Sequence, residues 1–378
     1  MKVLHITLGL GNGGAEGALF RLVTFDKSNE HIIISIMGDG IYGQKLRESG
    51  HTIFSLAVRR GKVKFSCFYS IYKIVKEVRP DVVQTWLYHS DLLGGIIARL
   101  AGVKTVVWGI RHSNLDPKLN SKIIIYIAKI SSLFSKIIPK RIISCSIKAA
   151  EVHKNIGYKA SIFEVIPNGY DLNKIKHTRK GRYGYRSNWR IGEKEIVFGV
   201  VGRWDPLKDH KNFIRAVSDL KRQYKGSIKC ILVGPNIDNS NVELVKLIRY
   251  YELEDDFLLL GPTKQISEVM SAFDLLVLPS LGEAFPNVVA EAMACGTPCI
   301  VTDVGDASFI VGSNGWVVPP ADHIALSNAM SESIAKNADE NEWQNLTQRC
   351  RERIEQNFSI ESMVSRFSDV WFDAKESK

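Results

Sequence analysis

A chain of 378 residues is too long for one ordinary hydrophobic core and predicts two domains. Apolar residues at 45% and charged residues at 24% exclude a disordered chain, and no apolar run approaches the length of a membrane span. The net charge of +10 is one-sided, because residues 1–170 carry 24 Lys and Arg against 11 Asp and Glu while residues 171–378 carry 26 against 29, so the first half favours an anionic surface or ligand: acidic lipid, nucleic acid or phosphate.

The chain enters strand-like alternation at once, without the basic and apolar regions of a signal peptide. The first half predicts strands at 3–8, 31–37, 52–58, 81–86, 104–110, 141–146 and 162–166. Residues 171–192 are basic, polar and glycine-containing, and read as a linker with a leading helix. The second half predicts strands at 195–201, 228–233, 257–260, 275–278, 298–304 and 315–318. Several are near-continuous apolar runs, as strands buried on both faces require, and helical stretches separate them. Thirteen strands would crowd one sheet. The expected fold is therefore α/β, with two doubly wound parallel domains: 1–170 and 171–357. The tail from 325 reads as helical, and its last helix, in 358–378, is expected to cross back to the first domain. The six cysteines contain no C-x-x-C and no zinc-ligand spacing, which predicts reduced, buried thiols.

Three stretches carry chemistry. Gly9, Gly11 and Gly14 satisfy G-x-G-x-x-G between a strand and a helix. That spelling fits a dinucleotide-binding turn. Such a turn needs an acid at the end of the second strand, and Asp39, 25 residues past Gly14, is the sole candidate and a poor one. Glycines that simply permit a tight turn remain the alternative. The second stretch, G-R-W-D-P-L-K, puts Arg203 and Lys208 just past a strand, where two cations can clamp a diphosphate. The third, G-E-A-F-P-N-V-V-A-E-A-M-A-C-G-T-P, sets Glu283 in a loop and Glu291 on the second turn of a helix whose first turn suits Pro286. Carboxylates so placed accept hydrogen bonds from paired hydroxyls. The free N–H groups around Phe285–Val288 can face an anionic group, which makes Ala284, Phe285, Pro286 and Asn287 candidate donor-binding residues.

Together these stretches resemble the retaining glycosyltransferases of family 4, whose two Rossmann-like domains face each other across a cleft in the GT-B architecture. The spacing Glu283 to Glu291 matches that family's E-x7-E motif, G-R-W-D-P-L-K its phosphate motif, I-P-N-G-Y-D at 166–171 the segment closing its first domain, and G-G-A-E at 13–16 its N-terminal loop. The resemblance implies that Arg203 and Lys208 hold the donor diphosphate, Glu283 the transferred sugar and Glu291 the ribose. It implies that Pro262, Thr263 and Lys264 meet the base. Gly13 and Gly14 let backbone approach the donor's phosphates. His112, flanked by Arg111 and Ser113, stands where the family places a His toward the donor sugar, and His89 is a weaker candidate on the acceptor side. Many members carry a Glu a few residues after T-D-V-G; here stands Asp306, so sugar contacts there differ.

The implied reaction moves a sugar from a nucleotide donor, with UDP as the expected nucleotide, to a hydroxyl of a glycan or lipid-linked acceptor with retained configuration. It belongs to cell-surface polysaccharide synthesis. No Asp-x-Asp occurs in the chain, so no cofactor and no metal is expected. Lys122, Lys129 and Lys136, spaced by seven within an apolar run, predict one basic helical face able to lie on an anionic membrane; Arg59 and Arg60 sit in a second basic cluster. The expected place is the cytoplasm, peripheral on the inner face of the cytoplasmic membrane. No nucleic-acid module accompanies the charge. A nucleotide-sugar epimerase of the same architecture and a non-catalytic sugar-nucleotide-binding protein are the alternatives.

Overall fold

A computed structural model describes every residue except 59–64, 114, 116, 118–120 and 378, and for Phe65 the backbone alone. The chain divides into two compact units, Met1–Gly169 with Ile360–Lys378, and Tyr170–Ser359.

The first unit contains seven strands: β1 (Lys2–Thr7), β2 (Glu30–Ser35), β3 (Thr52–Ser55), β4 (Val82–Trp86), β5 (Val106–Ile110), β6 (Arg141–Ser144) and β7 (Phe163–Val165). They form one parallel sheet in the order β3-β2-β1-β4-β5-β6-β7. Successive side chains point to opposite faces, and both faces are buried. Leu4, Ile6, Val83 and Trp108 join one core with the helix Phe65–Val78. Val3, Trp86 and Val107 join another, covered by the helix Gly14–Phe25 and by Met363, Phe367 and Trp371 of the C-terminal helix Ile360–Glu376.

Polar groups inside this second core are chained. Trp86 Nε1 donates to His5 Nδ1 at 3.2 Å, His5 Nε2 meets His31 Nδ1 at 2.9 Å, and His31 Nε2 lies 3.1 Å from Asp26. The indole N–H can only donate, so His5 Nδ1 must accept, and each proton in the chain then points toward Asp26. Burial, then the neighbouring His31, hold His5 well below the usual imidazole range.

The second unit contains β8 (Ile196–Val201), β9 (Ile228–Val233), β10 (Phe257–Leu259), β11 (Leu275–Leu278), β12 (Cys299–Thr302) and β13 (Gly315–Val318). They are parallel in the order β10-β9-β8-β11-β12-β13. Phe198, Phe213, Val217, Leu232 and Met330 lie in its core. Asp274 anchors the start of β11. It accepts from Arg182 at 2.8 Å, Arg186 at 2.6 Å and the Val197 N–H at 2.7 Å. The expected leading helix is a π-helical turn, Lys180–Tyr185, which carries Arg182 and runs directly into Arg186.

Each sheet reverses its strand order once, between β1 and β4 in the first and between β8 and β11 in the second. Beyond the C-terminal ends of strands at such a point, doubly wound sheets open a ligand crevice. All thirteen expected strands are present.

Candidate active site

At the switch point of the second sheet, two post-strand loops converge. After β8 comes the turn Pro206–Lys208, capped by Asp205, whose side chain accepts from the Leu207 N–H at 2.9 Å. Asp209 follows at φ +43 and caps the helix His210–Gln223 through the Asn212 N–H. This tight geometry aims Lys208 back along the loop, with its stem over Gly202. After β11, the Leu281 N–H donates to Leu207 O at 2.8 Å and locks the two loops together. Lys208 Nζ then donates to Glu283 Oε1 at 2.5 Å, and Ser280 Oγ donates to the same oxygen at 2.8 Å. Thr302 at the end of β12 holds Ser280 by donating to its carbonyl at 2.7 Å.

Gly305 explains how the loop after β12 comes close enough to finish the site. Its φ is +54, and a Cβ there would stand 2.4 Å from Glu283 O and 2.5 Å from Ala284 O. The Asp306 N–H donates to Ala284 O at 3.0 Å. Arg203 is placed differently from Lys208. Its Nε donates to Asp205 at 2.9 Å, and its side chain is 60% exposed. The two expected cations are therefore held differently, Lys208 by Glu283 and the largely exposed Arg203 by Asp205.

The helix Asn287–Ala294 follows, with Pro286 at its N-cap, one position earlier than the expected first turn. Asn287 Oδ1 accepts from Tyr170 OH at 2.6 Å. The Phe285 side chain is buried and packs edge-on against Phe358, so only its backbone can serve a ligand. Glu291 sits half-buried on the second turn as expected. Burial and then the Glu291 charge push the nearby Cys295 thiol up to about 12. All six cysteines are buried and unbridged. Arg351 fixes the far end of this helix by donating to Ala294 O at 2.6 Å. Pro262, Thr263 and Lys264 follow β10, at the same edge of the sheet; Gly261, just before them, is tied to Gly234 and Ile237 by backbone hydrogen bonds.

In the first unit, Gly13 caps the helix Gly14–Phe25 without a side chain. The Glu16 carboxylate folds back over it, and a Cβ on Gly13 would stand 2.2 Å from Glu16 Oε2. Burial raises the Glu16 pKa. Asp39 is paired with Arg47 at 3.2 Å, which takes the one acid that a dinucleotide ribose could have used.

His112 stands two residues past β5, with its ring edge-on to Tyr88, centroids 6.1 Å apart. Tyr88 OH donates to His153 Nε2 at 2.6 Å, while His153 Nδ1 is taken by Ala149 O at 2.6 Å. The buried Arg111 guanidinium lies over the Trp86 ring at 4.6 Å and donates to Asn168 at 2.6 Å. Tyr88, His153, Ser280 and Gly305 gave no sequence signal; a tyrosine after a strand or a glycine in T-D-V-G carries no chemistry until its neighbours are known. His89 is exposed at the start of the π-helical turn Ser90–Gly94.

Lys122 and Lys129 lie on the helix Lys122–Phe134, whereas Lys136 lies beyond its end, because the helix stops at Ser135. Only two of the three lysines therefore share a helical face, although all three are exposed. The helix is inverted in its apolar pattern. Small residues, Ala128, Ser131 and Ser132, face inward, while Ile123, Tyr126 and Leu133, with Ile137 just past the end, are 66–70% exposed. Arg59 and Arg60 lie outside the described residues. No helix among the described residues is long and apolar enough to cross a membrane, and no group of three His, Cys, Asp or Glu among them is placed to hold a metal.

Comparison with known proteins agrees with this geometry. Residues 27–174 match the model described as Glycosyltransferase Family 4, and residues 184–355 match that of Glycosyl transferases group 1. The chain is a GT-B glycosyltransferase. It is 27% identical over 318 residues to an Escherichia coli UDP-Gal:alpha-D-GlcNAc-diphosphoundecaprenol alpha-1,3-galactosyltransferase, covering 82% of this chain and 79% of the relative. A Campylobacter jejuni N,N'-diacetylbacillosaminyl-diphospho-undecaprenol alpha-1,3-N-acetylgalactosaminyltransferase is 25% identical over 307 residues, covering 78% and 79%. The fold is shared with the Anabaena protein Alr3699/HepE in complex with UDP, at a TM-score of 0.86 and 21% identity over 99% of this chain and 100% of that one. The glycosyltransferase thus carries both halves of the GT-B architecture.

Proposed function

We propose that this glycosyltransferase moves a sugar from a UDP-sugar to a hydroxyl of a lipid-linked glycan acceptor, with retained anomeric configuration and without a metal, in the synthesis of a surface polysaccharide. The observation that carries the proposal is the Lys208–Glu283 pair at the switch point of the second sheet. A cation oriented by a carboxylate at this sheet end can meet a diphosphate, and Arg203 can fold in to add a fork of donors. The relatives named above act on diphosphoundecaprenol acceptors, and the Anabaena neighbour is named with UDP; both support the choice of donor and acceptor.

In the reaction, the acceptor oxygen forms a bond to the sugar's anomeric carbon as the bond from that carbon to the β-phosphate oxygen breaks. The acceptor proton passes to a phosphate oxygen of the departing UDP. Attack and departure share one face, through an oxocarbenium-like state, so configuration is retained. Lys208 and Arg203 neutralise the leaving charge, which is the role a metal serves elsewhere. Glu283 and His112 orient the sugar hydroxyls, and Glu291 the ribose.

The acceptor's lipid places the enzyme at a membrane, on its cytoplasmic face. The inverted helix Lys122–Phe134 supports this, because its outward apolar side chains alternate with lysines on a strongly basic half-chain. A hydrolysis assay over UDP- and GDP-sugars, with the released sugar followed by proton NMR, tests the proposal. An α-linked UDP-sugar releasing the α anomer first is expected; first release of the β anomer would remove retention, and indifference to the nucleotide would remove UDP.

A further inference from the structure

Between the ends of β4 and β5 lies a carboxyl that the mechanism above does not use. Asp91, on the π-helical turn Ser90–Gly94, is 1% exposed. Its Oδ1 accepts from Thr85 Oγ1 at 2.6 Å and from the Gly109 N–H at 3.2 Å. Thr85 is the penultimate residue of β4 and Gly109 that of β5, three residues before His112. The two strand ends approach too closely for a side chain at Gly109, where a Cβ would stand 2.5 Å from Thr85 O. Leu87, at φ +71, donates its N–H to Gly109 O at 3.0 Å and closes the junction. A π-helical turn inserted in a helix commonly marks a functional position, because it re-aims one side chain. Here the re-aimed side chain is Asp91.

No Lys or Arg among the described residues forms an ion pair with Asp91. Arg111 is the closest in effect, but its guanidinium is engaged by Asn168 and Trp86. Asp91 Oδ2 is buried without a hydrogen-bond partner among the described residues. The phenols of Tyr88 and Tyr158 face the same space, with the Cys145 thiol beside Tyr88 and Arg111. Burial pushes Asp91 up to about 8, against the opposing pull of Thr85, Gly109 and Arg111. Burial also pushes both phenols up, so they stay neutral.

We propose that Asp91 is a positioning residue for His112: as a neutral carboxyl it clamps the ends of β4 and β5, and on gaining charge it draws Arg111 off Asn168 and displaces His112, the next residue. The assignment rests on His112 acting on the transferred sugar. In the neutral form Oδ1 is the carbonyl that accepts both hydrogen bonds, and Oδ2 carries the proton. An asparagine reproduces that arrangement without the ability to ionise.

The test is turnover of the sugar nucleotide chosen by the hydrolysis panel, between pH 6 and 9.5, for wild type, Asp91→Asn and Asp91→Ala, with UDP calorimetry as the control. Wild-type kcat is expected to fall through an apparent pKa near 8. Asp91→Asn is expected to keep most of the neutral-pH rate and lose that alkaline fall. Asp91→Ala is expected to lose about tenfold or more in kcat with UDP affinity unchanged. An alkaline fall in Asp91→Asn identical to wild type would overturn the proposal, as would full kcat in Asp91→Ala. Should Asp91→Ala fail to fold, Asp91→Asn carries the test alone. His112→Ala with undiminished turnover would instead remove the role of His112; inactive His112→Ala beside active Asp91→Ala would remove only the clamp.

Discussion

Lys208 Nζ and Glu283 Oε1 stand 2.5 Å apart, on loops that follow two different strands of one sheet, β8 and β11. Neither loop alone defines a site. Their contact, backed by Ser280 and by the backbone bond from Leu281 to Leu207, turns a basic turn and an acidic loop into one rigid surface. A diphosphate arriving there meets an already oriented lysine, so little ordering cost falls on the binding step.

Gly305→Ala tests how that surface is built. The substitution puts a Cβ into the Glu283 and Ala284 carbonyls at a backbone conformation that L residues avoid. A loss of roughly 1–3 kcal/mol in stability is expected, with weaker UDP binding. Thermal unfolding and calorimetry check both, and unchanged UDP affinity would contradict the close approach.

Asp274→Ala should destabilise the second unit far from any ligand. It strands Arg186, which is buried, and frees the Val197 N–H. Breaking a buried ion pair by removing one partner costs about 3–5 kcal/mol. Urea unfolding measures it, and a loss below about 1 kcal/mol would show the network to be dispensable.

Acid should unfold the protein earlier than its carboxylates require. Burial lowers His153 and His210 to about 4 and holds His5 well below 6.5. The unfolded chain therefore binds more protons at these sites between pH 6.5 and 4, so stability falls with pH across that window. Asp91 acts in the opposite direction, since its folded pKa is raised. His51, His89 and His177 are lowered by burial too, while Glu16 and Asp209 are raised like Asp91, so the lowered imidazoles outnumber the raised carboxyls and the net effect is a loss of stability toward acid. Urea midpoints at pH 7 and 5 check the slope, and His210→Gln should make it shallower.

Membrane contact is predicted to need both charge and apolar insertion. Ile123→Asp with Leu133→Asp should abolish flotation with liposomes containing anionic lipid, and neutral liposomes should recover little wild-type protein. Equal recovery with both lipid types would contradict the electrostatic part, and unaffected flotation of the double variant the apolar part.

Much of this was legible in the sequence, for a physical reason. Strands buried on both faces read as apolar runs, so 196–201, 228–233 and 275–278 announced themselves. The placement of Glu283 in a loop and Glu291 on a helix was legible because the turn and helix signals between them are local. What escaped depends on close approach between distant segments. Gly305 matters only because the Glu283 loop lies against it, and Asp91 only because β4 and β5 converge. The outward face of the helix Lys122–Phe134 was half legible. Its lysines showed, but sequence cannot say that Ala128 and Ser131 take the inner side and leave Ile123, Tyr126 and Leu133 outward. Lys136 was misplaced because the helix ends at a serine that breaks no pattern.

The most direct measurement of the central claim is calorimetric titration of wild type and Lys208→Ala with UDP, GDP and NAD. UDP is predicted to bind wild type, with GDP weaker and NAD not at all. Lys208→Ala is predicted to lose about 10- to 100-fold in UDP affinity, as removal of one charge-assisted hydrogen bond and ion contact implies. Binding of NAD without either nucleoside diphosphate, or UDP affinity untouched by Lys208→Ala, would contradict the account.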